Sequence, residues 1–137
     1  MSELVERYLS FRGRLARLPF FVRELSLNIT AAVITFASIP LFANGSRVLW
    51  WAGLLVLLAS LALLAVGTIS LIVRRLHDLN LSGYHAIWCA AVEVCWVAVT
   101  YGPPEAILLG LPLGAIYFWL ALWPGTRGVN RFGEVPD

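Results

Sequence analysis

The densest polar string in this 137-residue chain is Arg74-Arg75-Leu76-His77-Asp78. A histidine beside an aspartate is part of what a metal-dependent phosphohydrolase needs. Such a centre takes further His or Asp ligands, and the chain has only two histidines, the second being His85. Nucleophilic catalysis is no better served, because no Ser or Cys is poised beside His77. The economical reading is structural: Asp78 pairs with a nearby arginine, and His77 caps or hydrogen-bonds the loop. No metal and no cofactor is expected, and the chain is not expected to be an enzyme.

The arginines suggest binding instead. Arg14, Arg17, Arg74, Arg75, Arg127 and Arg131 fall in three strings that share one side of the chain's apolar segments. Guanidinium forks grip phosphate through paired hydrogen bonds. A turn such as Gly125-Thr126-Arg127-Gly128 can aim backbone N–H groups at an anion. A lipid headgroup or a soluble phosphate is therefore the expected ligand chemistry. The chain has no GxxxxGK[ST] string, which excludes a nucleotide P-loop. Gly13, His77, Asp78, Gly125 and Asn130 are expected to shape a cap from these strings, with Asp78 at salt-bridge distance from an arginine of the first or third.

Glu93 is the one acid inside the third apolar run. It stands about 13 Å from the inner end of that run, near the midplane of a bilayer. A charge there costs about 2.5–3.5 kcal/mol, so the carboxyl is expected to be protonated and partnered by Asn28, Thr30 or Tyr117. The competing reading makes Glu93 a proton- or substrate-coupling acid. His85, Cys89 and Glu93 share a helix flank, but the first and last are about 12 Å apart along it and cannot hold one metal. Cys89 and Cys95 would lie about 9 Å apart along a helix on nearly opposite faces, so they are read as packing residues.

The elements that must position these residues follow from composition. Hydrophobic residues make up 60% of the chain and charged residues 13%, too little polarity to cover a water-facing surface. Four apolar runs, at about residues 20–43, 48–73, 84–101 and 105–123, predict four transmembrane helices. Short connectors make them an up-down, all-α bundle. All ten cationic residues are arginine; nine share one side and only Arg47 lies on the other. The positive-inside rule then puts both termini in the cytoplasm, with residues 124–137 as a cytoplasmic tail. The first apolar run is too long for a cleavable signal peptide, and further spans follow it. A net charge of +2 is too small and too scattered to suggest a nucleic-acid partner, and none is expected. Membrane lipids, anionic ones included, a second copy of the chain or another membrane protein are the expected partners.

Two patterns refine this picture. Leu4, Tyr8, Phe11, Leu15 and Leu18 are spaced 4-3-4-3, which predicts an amphipathic interfacial helix over 3–18, with a break at Gly13. Gly53, Ser60 and Gly67 repeat at seven and mark a close helix seam, either internal or between protomers.

Three strings carry a family resemblance: Phe11 to Arg17 (FRGRLAR), Arg74 to Tyr84 (RRLHDLNLSGY) and Pro124 to Asp137 (PGTRGVNRFGEVPD). Set around four spans, they resemble the domain of unknown function 805 family of small bacterial inner-membrane proteins. The chain departs from the family at Leu18-Pro19-Phe20-Phe21, where an aromatic pair containing Trp is usual. It departs again at Tyr84-His85, where Trp is usual. The resemblance implies an architecture and an inner-membrane address, and it brings no activity. Three functions are thus carried forward. They are a non-enzymatic lipid- or partner-binding module with an Arg-rich cytoplasmic face, a small transporter or channel using Glu93, and a membrane-bound enzyme acting on phosphate-bearing headgroups.

Overall fold

The computed structural model describes residues 3–89 and 107–136. Its elements are α1 (Glu3–Leu9), α2 (Arg17–Ala43), α3 (Arg47–Asp78), a short 3₁₀ turn at Gly83–His85 and α4 (Ile107–Leu122). The described residues contain no strand, only an isolated bridge between Asn130 and Gly133. Glu93 and Cys95 lie outside the described residues, as does most of the expected third span.

Among the described residues two helices are long and apolar enough to cross a membrane, α2 with 27 residues and α3 with 32. At 1.5 Å per residue they measure about 40 and 48 Å, each longer than a ~30 Å hydrocarbon core. Pro19 falls in the first turn of α2, where its missing N–H removes no helical bond. The two helices run antiparallel. A Cβ on Gly53 would meet Leu41 at 3.1 Å, one on Gly67 would meet Leu27 at 2.8 Å, and Thr68 bonds Glu24. The seam of small residues is therefore internal, joining α3 to α2.

What α3 buries is small or polar along most of its length: Gly53, Ser60, Gly67, Thr68 and Ser70. What the two helices turn outward is large and apolar, including Ile29, Val33, Phe36, Leu55, Leu58 and Leu63. This reverses the arrangement of a water-soluble bundle. The larger apolar core gathers at one end, where Leu15, Phe20, Leu71, Ile72, Leu76, Ala86, Cys89 and Leu120 pack together.

Two expectations about this end need correction. The predicted 3–18 helix is helical only to Leu9; a non-helical stretch follows, and α2 begins at Arg17. That stretch is tied to α3 instead, with Ser70 Oγ donating to the Ser10 carbonyl (2.6 Å) and Leu15 N–H to the Arg74 carbonyl (3.1 Å). These bonds and a φ of +81° at Gly13 are incompatible with a continuous helix. Arg74 to Asp78, expected in a loop, is instead the last stretch of α3. Leu71, Ile72 and Leu76 extend its buried face, and Arg75 and Asp78 pair at i,i+3.

Candidate functional site: an arginine-locked cap

Asp78 is the hub of the cap. Arg14 Nε and Nη2 donate to its Oδ1 at 3.1 and 2.9 Å, and Arg75 Nη1 donates to its Oδ2 at 2.5 Å. All three side chains are out of solvent, with Arg75 at 0%, Asp78 at 3% and Arg14 at 6% exposure. The first string thus supplies the expected salt bridge, across 64 positions of sequence.

Backbone carbonyls take the remaining donors of Arg14 and three bonds from Arg75. Arg14 Nη1 reaches Gly128 (2.7 Å) and Gly133 (3.3 Å), and its Nη2 reaches Thr126 (2.6 Å). Those three bonds and the two to Asp78 use all five N–H groups of a guanidinium. Arg75 Nε donates to the Leu120 carbonyl at 2.7 Å and Nη2 to that of Trp123. A cation thereby closes the C-terminal end of α4, where carbonyls lack helical partners and the dipole is negative. Burial holds the Arg75 guanidinium below its ordinary pKa range, while the Asp78 charge acts against that shift.

The third string wraps the same hub. Thr126 donates through both N–H and Oγ1 to the Asp78 carbonyl. Gly125 lies against the Asp78 carboxyl so closely that an added Cβ would fall 2.6 Å from its Cγ. Asn130 Nδ2 donates to the His77 carbonyl (2.9 Å), and its Oδ1 accepts from Phe132 N–H. The His77 ring stacks on Phe132 at 3.9 Å, 8° from parallel, and its Nδ1 meets the Gly13 carbonyl at 3.1 Å. A carbonyl only accepts, so Nδ1 carries the proton. Burial lowers the His77 pKa from its ordinary 6.5; the Gly13 bond opposes this and the Arg131 charge adds to it.

Gly13, His77, Asp78, Gly125 and Asn130 are thus brought together, but the six arginines do not form one face. Arg14 and Arg75 turn inward. Arg17, Arg127 and Arg131 stand exposed, Arg131 bonding the Asn80 carbonyl and lying over Phe132. Arg74 turns toward α1, where its Nη1 donates to the Arg7 carbonyl. Among the described residues no three His, Cys, Asp or Glu side chains converge.

Of the polar group assigned to Glu93, Asn28 Nδ2 donates to Glu24 Oε1 (3.2 Å) and to the Glu24 carbonyl, and Thr30 returns its hydrogen to Ser26. Tyr117 packs near Phe20, ring centres 5.9 Å apart. The acid that sequence reasoning passed over is Glu24, 3% exposed between α2 and α3, which accepts from Thr68 Oγ1 at 3.0 Å. A signal for it existed. Phe20, Glu24, Leu27 and Ala31 follow the 4-3-4 spacing of one helix face.

No curated protein and no solved structure matches this chain. A family profile described as protein of unknown function (DUF805) matches residues 8–134, a stretch that holds the hub, both of its arginines and nearly all of the wrapping third string. The chain belongs to that family.

Proposed function

We propose that this is a non-catalytic, four-span inner-membrane protein, both ends cytoplasmic, whose arginine-rimmed cap engages anionic lipid headgroups of the inner leaflet. One observation carries the reading. Arg14 and Arg75 are buried and bonded within the cap, while Arg12, Arg17, Arg127 and Arg131 remain exposed on its outside. Below that rim, α2 and α3 turn large apolar side chains outward, as a lipid-facing surface requires. A basic rim above such a surface is drawn to an anionic leaflet. The polar groups that suggested chemistry are engaged in structure, His77 with Gly13 and Phe132 and Asp78 with two arginines.

Replacing Arg12, Arg17 and Arg127 together by Gln tests this. The wild type should partition in favour of vesicles containing phosphatidylglycerol over neutral ones, with a preference that weakens as salt rises. The triple variant should lose that preference and remain folded; an undiminished preference would reject the reading. Topology has its own check. Single cysteines near Ser2 and Asp137, in a background without Cys89 and Cys95, should resist an impermeant thiol reagent on intact cells, and one near Ser46 should react.

A further inference from the structure

A second group of arginines lies apart from the hub, where α1 meets α2 and α3. Arg74 reaches from the inner part of α3 to the last turn of α1, its Nη1 donating to the Arg7 carbonyl at 3.1 Å. Arg23 of α2 is close enough that its charge adds to burial in lowering the Arg74 pKa, with Glu6 the acid that opposes. Arg7 in turn repels Arg23. Arg23 Nη1 and Arg74 Nε are closed off from solvent, and neither has a hydrogen-bond partner among the described residues. Unmet charged donors are costly out of water, and gathered like charges add to that cost. An oxyanion that accepts several N–H groups at once relieves both.

An apolar cleft of about 430 Å³ opens beside this group, lined by Leu4, Val5, Tyr8, Leu27, Ile34 and Leu64 among others. Tyr8 and Ser26 connect the two. Ser26 Oγ donates to the Arg23 carbonyl (2.7 Å), so the 2.9 Å bond between Tyr8 and Ser26 has the phenol as donor. Both residues line the cleft. No arginine lines the cleft itself, but Tyr8 stands next to Arg7 in sequence and Ser26 one helical turn from Arg23. A cationic group therefore neighbours a hydrocarbon-lined cleft, an order that matches a ligand with a phosphate at one end and an acyl chain at the other.

We propose that Arg23 and Arg74 bind a phosphate group, supplied by an anionic phospholipid whose acyl chain lies in the cleft between α1 and the α2–α3 pair. The proposal rests on the membrane reading above but not on the cap rim, and the two fail separately.

The test is thermal unfolding of purified protein in a neutral detergent, with phosphatidylglycerol, inorganic phosphate or neither added, and native mass spectrometry of the same samples. Phosphatidylglycerol should raise the wild-type midpoint by about 3–8 °C, and one phospholipid should stay bound. Arg23→Gln alone should weaken retention about tenfold. Arg23→Gln with Arg74→Gln should abolish the shift, while the lipid-free midpoint holds or rises because unmet cations are gone. A variant that merely unfolds would lower that midpoint instead. The Arg12, Arg17 and Arg127 variant should keep the full shift even where it has lost its preference for anionic vesicles. A matching shift from inorganic phosphate alone would support the phosphate site and assign it to a soluble anion. Equal lipid shifts in wild type and the double variant, or no shift in the wild type from either addition, would overturn the proposal.

Discussion

Arg74 and Arg75 are adjacent in sequence and meet opposite fates. Arg75 is wholly buried, bonded to Asp78 and to carbonyls of Leu15, Leu120 and Trp123. Arg74 keeps a closed-off Nε with no hydrogen-bond partner among the described residues and shares its surroundings with Arg23. The difference lies in the supply of acceptors. The hub offers one carboxylate and a ring of backbone carbonyls to two guanidiniums, whereas at the α1 junction Arg74 bonds the Arg7 carbonyl, with the charge of Glu6 opposing that of Arg23. A cluster of arginines therefore says little until its acceptors are counted. Satisfied, it is a staple; unsatisfied, it is a place to look for a bound anion.

The comparison breaks most visibly at Asp78. Asp78→Ala leaves two buried guanidiniums facing each other, a loss of about 3–5 kcal/mol, or roughly 10–15 °C in detergent melting. Arg23→Gln should move the midpoint in the other direction or not at all. A shared sign would mean that the two clusters do the same job.

Gly125→Ala sharpens the contrast, since both Asp78 oxygens are held and the carboxyl cannot retreat from the new methyl. A loss of about 1–3 kcal/mol is expected by denaturation. His77 should give a smaller effect, visible only with pH. Its folded pKa lies below 6.5, so the unfolded chain takes up the proton first as pH falls. Stability should be level above about 6.5 and decline as pH drops from there toward the folded value, and His77→Gln should remove that slope.

The smallest effect belongs to the seam. Gly67→Ala directs a methyl at Leu27 Cδ1, the free end of a flexible side chain, and gains about 1 kcal/mol of helix propensity. A net change within about 1 kcal/mol is expected from melting curves, against the larger loss at Gly125.

The patterns on which the sequence could speak are those of local period and bulk polarity. A charge-free run longer than a bilayer core announced α3, a shorter one following Arg23 and Glu24 announced α2, and the Gly53–Ser60–Gly67 repeat announced a close helix seam without naming its partner. The three polar strings announced a cap and an acid–arginine pair within it. The 4-3-4-3 spacing before α2 misled, because Leu15 is buried by a chain segment tied to α3 and not by a helix face. Residues that fill a core in extended and in helical backbone can share one spacing.

Length, apolarity and the gathering of most arginines into three strings outside the apolar runs were determined by the sequence alone, because each depends on residue types and their order. Only the tertiary structure decided which arginine is which. Arg14 finds Asp78 across 64 positions, Arg75 finds the end of α4, and Arg74 is left beside Arg23. The spacing of α2 marked Glu24 as inward-facing, but only the packing of α3 supplied Thr68 as its donor. Hydrogen-bond satisfaction is a property of atoms within about 3 Å of each other. For residues this far apart in the chain, nothing but the fold sets that distance.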